Sequence, residues 1–159
     1  MVYLWGLVVS AWRAKALELF PERRQQIEYV ESVGMLWIYL WDDVSRYYGE
    51  SAETTEPFIS AAFEYLRWCL HAQDADTYNA ACIGFCESLA TFATQTGAPI
   101  YGRIVSDLAT KFNHLEIREL APCFAIPLGP SRVDTLLADI ATARKGQEKS
   151  QKKRRATSE

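Results

Sequence analysis

Residues 34–50, GMLWIYLWDDVSRYYGE, are rich in Trp and Tyr. Among these aromatic residues stand three charged ones that could do chemistry, Asp42, Asp43 and Arg46. Paired carboxylates act as acid and base only where one of them is desolvated and both face the substrate. Adjacent residues on a helix point about 100° apart, so Asp42 and Asp43 do not converge. Their spacing from Arg46 instead favours local ion pairs on a solvated helix face, worth about 0.2–0.5 kcal/mol each.

The two histidines, His71 and His114, are the other candidates for acid–base chemistry. Both are expected near helix C-termini, where the helix dipole favours a charged imidazole, so capping is preferred over catalysis. Arg67 and His71 are closer together than the Arg and His of the helical ribonucleases of bacterial defence systems. The sequence has no HExxH or Glu-x-x-His pair and no glycine-rich phosphate loop. We therefore assign no catalytic residue, no metal ligand and no cofactor, and predict a non-enzymatic protein.

The four cysteines, Cys69, Cys82, Cys86 and Cys123, are predicted to be structural. None belongs to a CxxC pair, and their spacings match no zinc module. Free cysteine is among the most buried residue types, so all four are expected in the core. An oxidising compartment is not implied.

The net charge of −3 is unevenly distributed along the chain. The last fourteen residues carry five basic and two acidic side chains, which gives this tail +3 and the body −6. Phosphate binding needs clustered Lys and Arg, so an acidic body argues against nucleic acid as the main ligand. It suits a basic protein partner, although a modest negative charge also simply keeps a protein soluble.

The basic tail, residues 146–159, contains Ala156 as its one apolar residue and is predicted to be disordered. Its KKRR run is the one basic cluster, so contact with nucleic acid or a membrane is expected only there. A solubilising role fits the composition equally well. The run consists of Lys152, Lys153, Arg154 and Arg155.

Apolar residues recur with the helical period throughout, and no long stretch shows strand-like alternation. We therefore predict an all-α fold: one domain, residues 1–145, of about six helices with mostly antiparallel neighbours. Residues 115–130 hold three prolines and are predicted to form an ordered, largely apolar loop. The expected helices cover about residues 2–20, 22–49, 55–72, 76–96, 99–114 and 131–144.

The chain begins with an apolar run of about twelve residues, MVYLWGLVVSAW. A membrane-spanning helix needs about 20 residues, and a signal peptide begins with a basic segment that is missing here. We therefore predict that the run is the start of the first helix, with an interfacial or targeting role as the alternative, and that the protein is cytoplasmic.

On a helical wheel, the second predicted helix has a core face and an opposite polar face. Gly34 lies in the middle of the core face, where a missing side chain would let another helix approach closely. The core face is predicted to contain Ile27, Val30, Val33, Gly34, Trp37, Trp41, Val44 and Tyr48.

The opposite face combines a Tyr and a Met with charged residues, as protein interfaces do at their centre and rim. We therefore predict a partner-binding surface on it, extended by three glutamates in or beside the next loop. The predicted residues are Met35, Tyr39, Asp42, Asp43, Arg46, Glu50, Glu53 and Glu56.

This stretch and AAFEYLRWCLHAQDADTYNAACIGFCESLA (residues 61–90) together resemble a group of small helical bacterial domains of largely unknown function. In that group a Gly-Met/Leu helix with an Asp-hydrophobic-x-Arg-Tyr segment precedes a Phe-x-x-Leu helix, an Asp-containing turn and an Asn-Ala helix ending in Glu-x-Leu. Members look like accessory or immunity proteins that bind and block a toxin made by the same cell. The resemblance covers about residues 18–95 and carries over no functional residue. The matching positions are Gly34, Met35, Asp43, Val44, Arg46, Tyr47, Phe63, Leu66, Asp76, Asn79, Ala80, Glu87 and Leu89.

Three functions follow as hypotheses. The first is a non-enzymatic immunity protein that neutralises a basic toxin through an acidic and aromatic surface. The second is an enzyme or small-molecule-binding bundle whose pocket is lined by Trp37, Trp41, Tyr65 and His71. The third is a nucleic-acid-associated regulator that uses the basic tail.

Overall fold

A computed structural model describes residues 2–4, 7–49 and 56–157 of the chain. Apart from one short hairpin, the regular secondary structure of the described residues is helical, which confirms the all-α prediction. The strands are β1 Val2–Leu4 and β2 Leu7–Val9. The α-helices are α1 Ala11–Leu19, α2 Arg24–Tyr29, α3 Val33–Tyr48, α4 Glu56–Leu70, α5 Ala75–Ala81, α6 Ser88–Gln95, α7 Ala98–Lys111, α8 His114–Leu128 and α9 Pro130–Ala156. A 3₁₀ turn covers Pro21–Arg23, and a π-helix covers Cys82–Glu87.

The chain forms two compact units, Met1–Leu89 and Ala90–Glu159, where the sequence predicted one domain followed by a tail. The boundary falls within α6. Each unit is described by itself.

The first unit departs from the predicted helices at its N-terminal end. The first helix was expected from residue 2, but β1 and β2 pair antiparallel and α1 begins only at Ala11. Valine and aromatic residues favour strands, which accounts for the hairpin. The second predicted helix is divided into α2 and α3, because Val30 is extended and Ser32 accepts a hydrogen bond from Met35 N at 3.2 Å as the N-cap of α3.

An aromatic cluster forms the core of the first unit. The ring centroid of Trp37 lies 5.1 Å from that of Tyr65 and 5.2 Å from that of Phe85. All three residues are fully buried. Aromatic pairs at such distances contribute about 0.5–1.5 kcal/mol each beyond the burial of their area. These contacts hold α3, α4 and the π-helix together.

Gly84, in the π-helix, makes the closest helix approach in this cluster. A β-carbon placed on Gly84 would lie 2.6 Å from the Cβ of Trp37. The sequence assigned this role to Gly34, but a β-carbon there would meet only Ser32 Oγ, at 3.8 Å. Gly34 is half-buried and its site is open, so the earlier assignment was wrong.

The cysteines of the first unit are buried, as the sequence predicted, but they differ in chemical state. Cys69 and Cys86 are free thiols with no exposed surface. Cys82, one turn before Cys86, is instead disulfide-bonded. Disulfides are rare in a reducing cytoplasm, so this bond does not favour the predicted cytoplasmic location. That location stays a prediction.

The second unit contains α8 where the sequence predicted a loop. Asn113 Oδ1 accepts hydrogen bonds from the N–H groups of Leu115 and Glu116, and Glu116 Oε2 accepts one from Asn113 N at 2.7 Å. This capping box stabilises the start of α8, and Pro122 and Pro127 lie inside the helix. Buried residues also anchor α8, namely Ile117, Leu120, Phe124 and Cys123, the last of which is disulfide-bonded.

The basic tail is helical up to Ala156, where the composition predicted disorder. Arg144 Nη2 donates to the carbonyl of Phe112 at 2.7 Å, and Gln147 Nε2 donates to Thr110 Oγ1 at 2.9 Å. These bonds hold α9 against the end of α7. Residues 148–157 are all exposed, and their Lys, Arg, Gln and Glu have good helix propensity, with the cations favoured by the dipole at the C-terminal end.

Candidate protein-binding surface

Helix α3 buries one face completely. Its buried residues confirm part of the predicted core face and add Leu36 and Leu40, neither of which has any exposed surface. Trp41, predicted to be in the core, is half-buried. The buried side chains of α3 are Val33, Leu36, Trp37, Leu40, Val44 and Tyr48.

The opposite side of α3 carries the residues that we call the α3 ridge: Met35, Ile38, Tyr39, Asp42 and Arg46. On a wheel of about 100° per residue they fall within one third of the circumference, facing away from the core. Ile38 is 67% exposed and Tyr39 is 37% exposed, whereas Met35 is half-buried. The ridge therefore has an apolar and aromatic centre with charged residues at one end.

Ile38 is absent from the surface that the sequence predicted. The available signal was its spacing. Ile38 is three residues after Met35 and four before Asp42, and such residues are neighbours on a helix surface. Large apolar side chains exposed next to a Tyr and a Met are typical of interaction sites.

The charged end of the ridge is one ion pair. Arg46 Nη2 lies 2.6 Å from Asp42 Oδ2, and both side chains are more than half exposed. This is the i,i+4 pair that the sequence predicted. The two charges cancel locally, so the ridge itself is not acidic. An exposed pair of this kind contributes little stability, and both side chains are free to re-pair with a partner.

Asp43 lies on the flank of α3, outside the ridge. Its Oδ2 is 2.6 Å from Arg23 Nη1, and the two side chains are 16% and 28% exposed. The Arg23 guanidinium also lies 4.9 Å from the ring centroid of Phe58 on α4. Asp43 therefore takes part in joining the 3₁₀ turn to α3 and α4, and the predicted pairing with Arg46 was wrong.

Glu56 also lies outside the ridge. Its Oε2 accepts a hydrogen bond from Tyr47 Oη at 2.7 Å, and its Oε1 accepts one from Ser60 Oγ at 3.2 Å. On an ideal wheel Tyr47 lies about 120° around α3 from Met35, which places it outside the ridge. The bond to Tyr47 therefore holds Glu56 on the flank of α3. Glu50 and Glu53 lie outside the described residues.

The acidic charge of the chain is concentrated in the unit that carries the ridge. Residues 1–89 have thirteen acidic and six basic side chains, a net charge of −7. Residues 90–159 have seven acidic and eleven basic ones, a net charge of +4. Three of these four positive charges belong to the tail, residues 146–159, as the sequence showed, and residues 90–145 are nearly neutral, with a net charge of +1.

The four residues proposed to line an aromatic pocket do not share one. Trp37 and Tyr65 are fully buried against each other, and Tyr65 Oη donates to the carbonyl of Trp12 at 3.1 Å. Trp41 packs edge-on against Phe85, with centroids 6.1 Å apart. His71 is exposed at the end of α4. The cluster is packed core, so the hypothesis of a pocket at this place is not supported.

Each of the two histidines lies at a helix end, His71 directly after α4 and His114 at the start of α8. His71 Nδ1 lies 2.7 Å from the carbonyl of Arg67, which fits the predicted capping role at the end of α4. His114 is instead the first residue of α8, so its predicted position at a helix C-terminus was wrong. In the described part of the chain, no three His, Cys, Asp or Glu side chains are grouped as metal ligands would be.

Comparisons with protein-family models, with curated proteins and with solved structures each returned no match. Over residues 2–4, 7–49 and 56–157, no helix combines the length and the apolar character needed to cross a membrane. The assignment of a function therefore depends on the residues and their geometry.

Proposed function

We propose that the chain is a non-enzymatic protein that binds another protein through the α3 ridge. The observation that carries the proposal is the exposure of Ile38 and Tyr39 opposite a fully buried helix face. Burying an Ile side chain contributes about 1.5–3 kcal/mol, and Tyr is enriched among residues that dominate binding energy. Asp42 and Arg46 supply the polar rim that such interfaces have.

The partner that we propose is a basic toxin, which the chain would neutralise as an immunity protein. The net charge of −7 on residues 1–89 would speed the encounter with a basic surface. The resemblance of residues 18–95 to immunity-type domains also supports this class of partner. The acidic contribution comes from the whole first unit, while the ridge provides the apolar contact.

The experiment is capture of a partner from host lysate by the tagged chain, followed by affinity measurement with two charge-reversed variants. Asp42→Lys changes the ridge, and Asp76→Lys makes the same change in net charge at an exposed site on α5. We expect Asp42→Lys to weaken binding at least about tenfold, or 1.4 kcal/mol. Asp76→Lys should weaken binding less than Asp42→Lys does, mainly by slowing association. Equal effects of both variants would show that the ridge is not the binding site.

A second candidate function is contact with nucleic acid through α9. The side chains of Lys152, Lys153, Arg154 and Arg155 are all exposed on one helical segment. Phosphate contacts of this kind would make affinity fall steeply with salt. Removing residues 148–159 should abolish such binding while leaving capture of a protein partner intact, so one truncation separates the two functions.

A further inference from the structure

A pocket of about 220 Å³ lies within the second unit, between α6, α7, the end of α8 and α9. Its walls are mainly apolar and include Ala90, Ala93, Leu128 and Leu136. Apolar cavities of about 150 Å³ admit benzene, so this pocket has room for one small ring or a short alkyl chain. The adjoining Thr94 and Arg132 are exposed, which makes the pocket reachable from solvent.

Arg132 brings a positive charge to the lining of this pocket. It lies in the first turn of α9, and no hydrogen bond or ion pair joins it to another described residue. A guanidinium beside an apolar wall suits a carboxylate, which it can hold through two parallel N–H···O bonds.

The other polar side chains of the pocket already have partners. Tyr101 Oη donates to Asp139 Oδ2 at 2.6 Å, and Thr135 Oγ1 donates to the carbonyl of Ser131 at 3.1 Å. Partial burial and the bond to Asp139 raise the pKa of Tyr101 well above its usual range, so the phenol stays neutral. Arg132 is therefore the side chain best placed to orient a ligand.

We propose that this pocket binds a small apolar monocarboxylate, with its alkyl or aryl body against Ala93 and Leu136 and its carboxylate paired with Arg132. The inference is independent of the α3 ridge, because every residue that carries it belongs to α6, α7, α8 or α9. It adds a small-molecule site to a protein-binding domain.

The first test is a calorimetric titration of the whole chain with butanoate, pentanoate, hexanoate and hexanamide. Each added methylene that enters the pocket should tighten binding about fourfold. Hexanoate should bind about two- to fivefold tighter than hexanamide, because only the acid forms a charged pair with the exposed Arg132. Equal affinity for the acid and the amide, or no saturable binding of any carboxylate at millimolar concentration, would overturn the proposal.

Variants locate the site. Arg132→Gln should remove the preference for hexanoate over hexanamide, whereas Arg118→Gln, at an exposed position of α8 that does not line the pocket, should keep it. Ala93→Phe should fill the pocket and abolish binding of all four probes. Thr135→Trp, at an exposed lining position, tests the same point if Ala93→Phe fails to fold. Unchanged hexanoate affinity in Arg132→Gln would contradict the proposed role of the arginine.

Discussion

Gly84 and Trp37 are in such close contact that a β-carbon on the glycine would lie 2.6 Å from the Cβ of the tryptophan. We predict that Gly84→Ala lowers the free energy of unfolding by about 1–3 kcal/mol, because the indole is fully buried and the extra methyl overpacks the core. Urea denaturation followed by circular dichroism measures this loss.

Gly34→Ala is the matched control, because a β-carbon there makes only one ordinary contact, 3.8 Å from Ser32 Oγ. Replacing this helical glycine should raise stability by up to about 1 kcal/mol. Opposite signs for the two variants support the packing described for Gly84. A Gly84→Ala protein as stable as the wild type would show that the contact is not tight in solution.

The two aspartates of α3 should differ in their contribution to stability. Asp43→Asn removes a partly buried charge that pairs with Arg23, and we expect a loss of about 1–2 kcal/mol. Asp42→Asn breaks an exposed pair with Arg46 and should cost less than about 0.5 kcal/mol. Chemical denaturation of both variants measures the difference. Equal losses would mean that the Arg23–Asp43 pair is no more than a surface contact.

The cap of α5 should make stability depend on pH. Hydrogen bonds from the Thr77 side chain and backbone N–H hold the pKa of Asp74 below its ordinary value of 3.8. Because the folded-state pKa is lowered, this stabilisation is present above about pH 3.8 and is lost as pH falls through the folded-state pKa. Asp74→Ala should cost about 1 kcal/mol at neutral pH, and the difference from wild type should shrink on acidification.

Asp74→Ser is the control for that experiment, because serine caps a helix without ionising in this range. It should keep most of the neutral-pH stability, and its stability relative to Asp74→Ala should not depend on pH. A wild-type advantage over Asp74→Ala that stays constant down to pH 2 would contradict the assignment.

The free thiols should be unreactive in the folded protein. Burial raises the pKa of Cys69 to about 12, and it raises that of Cys86 above its usual range. The thiolate is the reactive form of cysteine. A disulfide reagent at pH 8 should therefore label Cys69 and Cys86 only in molecules whose first unit has unfolded. Labelling rates measured across a urea series should therefore follow unfolding. Fast labelling of Cys69 in the native state would show that α4 is exposed to solvent there.

The sequence predicted those elements that local periodicity determines and missed those that depend on distant contacts. The helical period placed α4 and α7 to within a few residues. The three prolines of residues 115–130 predicted a loop, whereas the capping box of Asn113 and Glu116 starts a helix there. Helix α9 continues beyond the predicted end at residue 144, in part because Gln147 donates a hydrogen bond to Thr110 of α7. No local sequence pattern shows such a contact.

For the candidate site, the wheel grouped Met35, Tyr39, Asp42 and Arg46 correctly on one face of α3. It could not show that Asp43 pairs with Arg23, because that contact joins residues twenty positions apart that only the fold brings together. Ile38 was not predicted for this face, although its spacing from Met35 and Asp42 places it there.

The most direct test of protein binding through the α3 ridge is affinity capture from host lysate with quantitative mass spectrometry. Three tagged proteins are compared: the wild type, Ile38→Asp, and Leu115→Asp as the control at an equally exposed apolar residue of α8. We predict one stoichiometric basic protein with the wild type and Leu115→Asp, and its loss with Ile38→Asp. Equal recovery with all three proteins, or no stoichiometric partner for the wild type, would contradict the central claim.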